Sequence, residues 1–210
     1  MTIYARLSSK SIIRYPNNRM VRKSIDTVRK MKVYYLMDYL PARYAASAEQ
    51  FKNRHEIFSF KDGRCSQRIL RGLVIGVNRI KTSNTVVCFV PSSSHIKTIR
   101  RYKDLSLRLS HLTKIPCSYE AISKPVDSES GYLAGKSDNP AASFVFDGSF
   151  FVGKNVILID DVMTRGRTLE STANELKQFG AVSITGLVVG RTINPDWGGC
   201  DGRNMEQIIV

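Results

Sequence analysis

The sequence predicts an α/β protein built around a doubly wound, mostly parallel sheet. Three observations support this fold class. From residue 85 to residue 189, short continuously apolar segments alternate with longer segments whose apolar residues recur at helical spacing, as in successive βα units. The apolar segment 155–159 ends in two acidic residues and a glycine-containing turn, a common setting for a ligand site in such sheets. No internal repeat is present, so residues 33–210 are predicted to form one domain.

The composition excludes several other classes of protein. Hydrophobic residues make up 42% and charged residues 24% of the chain, which is typical of a globular protein. No apolar run approaches the roughly 18 residues of a transmembrane helix, and the N-terminus lacks the apolar core of a secretory signal. We therefore expect a cytoplasmic location and no membrane partner. The four cysteines form no CxxC pair, so we expect reduced thiols rather than a zinc site or disulfides.

The formal net charge of +14 suits a polyanionic partner, either a nucleic acid or a phosphorylated small molecule. The charge is concentrated in residues 1–32, which hold nine Lys/Arg and the single acid Asp26. We expect this segment to be a poorly ordered basic extension, either a solvated tail or an arm that binds nucleic acid. Met31 directly precedes the first predicted strand, and it is an alternative start that would leave the extension untranslated.

The first part of the domain is predicted to contain one strand and two helices. Residues 31–36 are typical of an opening strand, and residues 42–57 and 65–81 have helical spacing, with a turn at Asp62-Gly63 between them. In the first helix the apolar positions are Ala42, Ala45, Ala46, Phe51 and Ile57.

The second part is predicted to alternate between strands and helices. Residues 85–90 form a buried strand that ends at Pro91, residues 96–112 a basic helix, and residues 115–122 the next strand. The basic helix is expected to direct inward Ile96, Ile99, Leu105, Leu109 and Leu112. Residues 123–143 have no apolar period and predict a long loop of functional importance. The remaining elements are strands at 144–146, 155–159 and 182–189 and a helix at 167–179 that ends at Gly180.

The segment 156–168 carries the clearest chemical signal. Asp160 and Asp161 end an apolar strand, and the turn that follows opens a helix whose N-terminal N–H groups and dipole favour an anion. Gly166 allows close backbone approach to a phosphate, and Thr164 and Thr168 add hydroxyl donors. Two carboxylates beside a phosphate make sense if the ligand also presents a vicinal diol, as a phosphorylated ribose does. The alternative is a simple Asp-rich N-cap after a buried strand.

This segment resembles the signature by which type I phosphoribosyltransferases bind phosphoribosyl pyrophosphate (PRPP). The resemblance extends to residues 60–63, Val90-Pro91, residues 100–104, and residues 136–139 followed by Phe144. Together these segments, which cover roughly residues 57–193, are similar to the ComF-type competence-associated phosphoribosyltransferases. The N-terminal four-cysteine zinc module that many ComF-type proteins carry is absent.

The resemblance implies the fold of a type I phosphoribosyltransferase and a role for each matching segment. Asp160 and Asp161 would hold the ribose hydroxyls, and residues 123–143 would form a mobile loop that closes over the site. The 5-phosphate would be wrapped by Thr164, Arg165, Gly166, Arg167 and Thr168. The pyrophosphate loop would be Ser92, Ser93 and Ser94. Magnesium would bind through the oxygens of PRPP, with no direct protein ligand assigned.

The sequence departs from the family at two positions, Arg165 and Thr164. Arg165 stands where relatives usually have Thr or Ala, which replaces a hydroxyl contact by a cation. Thr164 stands where purine-salvage members place an Asp thought to act on the base, and this weakens a hypoxanthine-type assignment. The base-binding region has no clear counterpart, and Trp197 either stacks on a base or packs in the C-terminal segment.

The expected activity is transfer of the phosphoribosyl group to a nitrogen nucleophile with release of pyrophosphate. Asp160, Asp161 and Arg100 are the predicted catalytic residues. Lys97 and Arg101 are further candidates for stabilising the leaving group, unless they belong to a solvated helix face. The alternatives are a non-catalytic PRPP- or nucleotide-binding module that acts with nucleic acid, and a nucleotide-responsive regulator. Homodimer formation is left open.

Overall fold

The structure, a computed structural model, describes residues 31–125, 139–195 and 205–209. The predictions about the basic extension, most of the loop 123–143 and Trp197 fall outside these residues. The described elements are β1 (Val33–Tyr39), α1 (Ala48–Lys61), α2 (Gln67–Ile80), β2 (Thr85–Phe89), α3 (His95–Thr113), β3 (Cys117–Ser118), β4 (Ile122–Ser123), β5 (Val145–Phe146), α4 (Gly148–Phe151), β6 (Asn155–Met163), α5 (Arg167–Gln178), β7 (Ser183–Thr192) and β8 (Met205–Gln207).

Six strands form one sheet in the order β3-β2-β6-β7-β1-β8. Every pairing within this sheet is parallel, while β4 and β5 form a separate antiparallel pair. The central strand β6 pairs with β2 on one side and with β7 on the other. The predicted fold class, an α/β protein with a doubly wound parallel sheet, is therefore confirmed.

Helices cover both faces of the sheet, and each face has its own apolar core. The first core contains buried residues of α1, α2 and α3 such as Ile57, Leu73 and Leu105. The second contains residues of α4 and α5 such as Phe151 and Leu169. Strand β6 contributes to both because its side chains alternate, with Ile157 and Ile159 in the first core and Val156 and Leu158 in the second.

The first predicted helix is displaced relative to its predicted bounds. Helix α1 begins at Ala48 rather than residue 42, because Ser47 forms a capping box with Gln50. The Ser47 hydroxyl accepts from the Gln50 N–H at 3.3 Å, and the Gln50 side chain accepts from the Ser47 N–H at 2.9 Å. Ile57 is buried, but Phe51 is 62% exposed. The alanines that extended the apparent apolar pattern precede the cap and do not belong to the helix.

The next two helices lie close to their predicted positions. Helix α2 starts after the N-cap Ser66, and the turn before it contains Gly63 with a φ of +89°. In α3 the predicted inward face was partly wrong: Leu105 and Leu109 are buried, whereas Ile96 is 76% and Leu112 is 49% exposed. The buried stripe instead runs through Thr98, Tyr102, Leu105, Ser106 and Leu109. The buried stripe begins with a polar residue, Thr98, so the apolar pattern of the sequence did not indicate which side of the helix is buried.

Three strand predictions also needed correction. The predicted strand 115–122 is two short strands in different sheets, β3 and β4. Strand β6 continues past residue 159 to Met163, so both acidic residues lie within it. Strand β8 was missed, since three residues without apolar alternation give no recognisable pattern. Among the described residues no helix has the length and apolarity needed to span a membrane.

Candidate functional site

The candidate site lies where the sheet changes its direction of winding. The crossover that follows β2 leads through α3 to β3 at one edge, and the crossover that follows β6 leads through α5 to β7 on the other side. Helices α3 and α5 pack on opposite faces. Ligands of open α/β sheets bind in the crevice at such a point, outside the carboxyl ends of the strands. Residues 90–94 and 160–166 occupy this position.

A cavity of about 310 Å³ lies at the carboxyl end of β6 and is lined by Asp160 and residues 162–169. Gly166, the N-cap of α5, has a φ of +64°. No side chain of the described residues caps this helix, and its first backbone bond back to Gly166 comes from the Glu170 N–H at 2.8 Å. A first turn with unsatisfied N–H groups and a positive dipole end is suited to bind an anion.

All five residues predicted to wrap the phosphate line this cavity. Gly166 is buried, Thr168 is half-buried, and Thr164, Arg165 and Arg167 are exposed. The Thr164 hydroxyl lies 2.9 Å from the Thr192 hydroxyl at the end of β7. The structure therefore brings this predicted set together along one wall.

The two adjacent acidic residues face different surroundings. Asp160 lines the cavity, whereas the Asp161 carboxylate accepts from Arg101 of α3 and lies 3.9 Å from the Lys61 ammonium at the end of α1. The physical reason is the alternation of side chains along a strand. Asp160 follows Leu158 on the α5 face, and Asp161 follows Ile159 on the face covered by α1 and α3.

Arg101, rather than the predicted Arg100, reaches the acid pair. Its side chain is 9% exposed, and its Nε and second amino group donate to the Lys61 carbonyl at 3.0 and 2.8 Å. Arg100 is half exposed and lies 4.0 Å from Asp62. Sequence reasoning named Arg101 only as one of three cations and gave Lys61 no role. The helical spacing of α3 could have distinguished Arg101 from Arg100. Arg101 lies three residues after the buried Thr98 and four before the buried Leu105, so it is on the same side of the helix as these residues.

The environment of Asp160 favours its protonated form. Burial and the negative charge of Asp161 raise the pKa of Asp160 from 3.8 to about 8. The Asp161 N–H, which donates to Asp160 Oδ1 at 2.7 Å, opposes this shift together with Arg101 and Lys61. Among the described residues no cation lies within ion-pair distance of Asp160, so the contributions that lower its pKa are weaker than burial and the charge of Asp161, which raise it.

The predicted pyrophosphate loop forms the N-terminus of α3, beside the end of β6. The Ser94 hydroxyl caps the helix and accepts from the Lys97 N–H at 3.4 Å. The Ser92 N–H donates to the Thr98 hydroxyl at 2.9 Å. Ser92 Oγ is buried without a hydrogen-bond partner among the described residues, while Ser93 is exposed. These serines lie outside the lining of the cavity next to Asp160.

Comparison with known proteins identifies no family for this chain. No family model matches the sequence, and no curated protein matches it. Among solved structures, the chain is similar to a purine phosphoribosyltransferase from Pyrococcus horikoshii Ot3, with 17% identity over 84% of this chain and 92% of that one. The TM-score of this superposition is 0.32, which is too low to assign a function to any residue of this chain.

Proposed function

We propose that the protein binds PRPP or a nucleoside 5-monophosphate and transfers the phosphoribosyl group to a nitrogen nucleophile with release of pyrophosphate. One observation carries the proposal: a helix N-terminus without a side-chain cap and the Asp160 carboxyl line the same cavity at the point where the sheet changes direction. The first suits the phosphate and the second suits the ribose hydroxyls of a phosphorylated ribose.

Each part of PRPP has a counterpart in this arrangement. The 5-phosphate would lie on residues 164–168, and the ribose hydroxyls would contact Asp160, with Asp161 behind it. The pyrophosphate would lie against Ser92, Ser93 and Ser94 at the N-terminus of α3, where Lys97 and Arg100 are exposed cations. Helix α3 would thus present the leaving group with backbone donors and positive charge.

In the proposed reaction the bond from the anomeric carbon to the pyrophosphate oxygen breaks, and both its electrons leave with pyrophosphate. The nitrogen nucleophile bonds to the anomeric carbon and releases a proton to solvent. This chain would position the reactants and stabilise the leaving anion with Lys97, Arg100 and the α3 N–H groups. Among the described residues no group of three or more His, Cys, Asp or Glu could hold a metal. Magnesium would bind through the oxygens of PRPP, where it would offset the charge of the pyrophosphate.

The binding step is tested by thermal unfolding with PRPP and magnesium. A ligand that binds only the folded state raises the midpoint of unfolding by mass action. We expect a shift for the unmodified protein and none for the double variant Asp160→Asn plus Asp161→Asn, whose fold is checked by circular dichroism. Asp104→Asn is the matched control, because Asp104 is an exposed acid on α3, 81% accessible. An equal shift in the double variant would refute the ribose assignment.

The transfer step needs a separate measurement, since a non-catalytic module would pass the binding test. Pyrophosphate release from PRPP and magnesium, measured across nucleobases and small amines, separates the two. Binding without release would favour the alternative of a binding module or a nucleotide-responsive regulator. Removing residues 1–30 then tests the nucleic-acid role of the basic segment: salt-sensitive DNA binding that depends on this segment would support it.

A further inference from the structure

The site contains an electrostatic conflict that the arrangement of its charges resolves. Two adjacent carboxylates at the mouth of an anion site would repel a phosphate, by on the order of 1 kcal/mol or more per charge pair at 4 Å. Yet Asp160 lines the same cavity as the N-terminus of α5. An ionised Asp160 and an unpaired Asp161 would therefore weaken the binding that the helix N-terminus favours.

The pair is not symmetric in its contacts. Asp161 is held by Arg101, whose side chain is 9% exposed, and it lies 3.9 Å from the Lys61 ammonium. Arg101 cannot turn away easily, since it also donates twice to the Lys61 carbonyl. Asp160 has no such cation among the described residues, and its Oδ1 is occupied by the Asp161 N–H.

We propose that the acid pair presents no net negative charge to the phosphate cavity: Arg101 and Lys61 offset the charge of Asp161, and Asp160 faces the cavity as an uncharged carboxylic acid. A protonated carboxyl donates one hydrogen bond and still accepts others, so Asp160 serves a ribose hydroxyl and an anionic oxygen alike. Arg101 is thus a positioning residue that sets the charge state of the site. This inference deepens the proposed function and rests on it, because it takes the cavity to be a phosphate site.

The groups around Asp160 make the direction of the pH dependence clear. The groups that shift its pKa most are Asp161 on its own strand, Arg101 on α3 and Lys61 at the end of α1. Arg165 in the turn after β6 and Arg167 on α5 line the same cavity and keep their positive charge over the whole pH range of the test. The buried Tyr102 next to Arg101 stays neutral, because burial raises its pKa well above the usual range. As the pH rises and Asp160 loses its proton, the cavity gains a negative charge and the affinity for phosphate falls.

The first measurement follows the Asp160 carboxyl in the ligand-free protein by ¹³C NMR. We expect a carboxyl that titrates near pH 8, disappears in Asp160→Asn, and moves to lower pH in Asp161→Asn, where the neighbouring charge is lost. Arg101→Met should move it to higher pH, because the guanidinium favours the ionised form. Arg108→Met is the matched control on the same helix and should leave it unchanged. A carboxyl that titrates near pH 4 in the unmodified protein would overturn the inference.

The second measurement is the affinity for ribose 5-phosphate at pH 7 and at pH 9.5. The phosphate is a dianion over this range, so any change belongs to the protein. We expect the affinity to fall by on the order of tenfold with rising pH in the unmodified protein and Arg108→Met. Asp160→Asn changes a ribose contact and should bind more weakly at both pH values, but without this pH dependence. If Arg101→Met does not fold, Lys61→Met is used instead. It removes the other cation near Asp161 and should also raise the pKa of the Asp160 carboxyl.

The two measurements separate failure of this inference from failure of the proposed function. Binding that is equal at both pH values, with an Asp160 carboxyl that titrates near pH 4, overturns the inference and leaves the phosphate site intact. An absence of ribose 5-phosphate binding at either pH overturns the proposed function. In that case the NMR titration still decides whether Asp160 is uncharged at neutral pH.

Discussion

The guanidinium of Arg101 donates to the carboxylate of Asp161 across 60 residues of sequence. Its other edge donates to the backbone carbonyl of Lys61, so one side chain links β6, α3 and the end of α1. These three elements surround the carboxyl end of β6. The same contacts that hold the helices in place therefore bring a positive charge to one member of the acid pair.

Because Arg101 is nearly buried, its loss should be costly to stability. Arg101→Met leaves the Lys61 carbonyl without these donors and Asp161 without its closest cation, which we expect to lower the free energy of unfolding by about 3 kcal/mol. The control Arg108→Met breaks a 3.5 Å pair with the exposed Asp104, and it should cost less than about 1 kcal/mol. Urea unfolding measures both variants, and equal losses would contradict the structural role of Arg101.

Asp160 should make the protein less stable as the pH rises. The pKa of its carboxyl is about 8 in the folded state, against an ordinary value of 3.8 that applies to the unfolded chain. Between these two pH values the folded protein binds more protons than the unfolded one. The contribution of Asp160 is fully present below about pH 4 and is lost as the pH rises through 8, with a slope of at most about 1.4 kcal/mol per pH unit.

Asp160→Asn removes this contribution. Between pH 5 and pH 8, the free energy of unfolding of this variant should therefore rise relative to that of the unmodified protein. Denaturant unfolding at several pH values measures the difference. The exposed Asp104→Asn is the control, for which the difference should remain constant. A constant difference for Asp160→Asn as well would mean that Asp160 is ionised throughout.

Two glycines with positive φ should differ in their tolerance of a side chain. A Cβ at Gly63, where φ is +89°, would lie 2.6 Å from the Arg100 carbonyl oxygen, whereas a Cβ at Gly153, where φ is +70°, meets nothing within 4 Å. Both alanine variants carry backbone strain of about 1–2 kcal/mol, but Gly63→Ala should cost at least about 1 kcal/mol more because of the clash. Thermal unfolding of both proteins tests the difference, and similar midpoints would contradict it.

The buried hydroxyl of Tyr102 should contribute nothing favourable to stability. Tyr102 is fully buried and stacks on Phe89 with ring centroids 4.7 Å apart, and its hydroxyl makes no hydrogen bond of normal geometry among the described residues, although the Arg101 guanidinium acts on it from nearby. Tyr102→Phe keeps the stacking and removes a polar atom that costs about 1 kcal/mol or more when unpaired. We expect equal or higher stability in urea unfolding. A loss above about 1 kcal/mol would show that the hydroxyl is bonded in solution.

Arg165 should strengthen phosphate binding without selecting a base. It is exposed on the wall of the cavity beside the N-terminus of α5, where a guanidinium adds charge-assisted contacts to those of the backbone. Arg165→Thr should lower the affinity by about 1–2 kcal/mol for every 5-phosphorylated ligand. Titration calorimetry with ribose 5-phosphate, PRPP and several nucleoside monophosphates measures this. A loss confined to one base would contradict the prediction, and unchanged affinities would mean that Arg165 contributes only net charge.

Local patterns predicted most of the sheet because buried parallel strands are short, continuous and apolar. Residues 85–90 and 155–159 are recognisable for this reason, and so is α5 with Gly180 after its end. Prediction was poorer where a local signal competed with the apolar pattern. The alanines before Ser47 extend the apolar pattern, but the cap at Ser47 starts the helix after them. In α3 the polar residues Thr98 and Ser106 are buried, whereas an apolar pattern places Ile96 and Leu112 on the buried side.

The sequence by itself determined the turn that lines the cavity, since an apolar strand, two acids, a glycine and a helix follow one another within residues 156–168. It could not determine that Asp160 and Asp161 have different surroundings, because the two residues are alike and adjacent in the chain. Only the tertiary structure decided this, by turning alternate side chains of β6 to opposite faces of the sheet. One face holds the buried cation Arg101 from a distant helix, and the other holds the cavity.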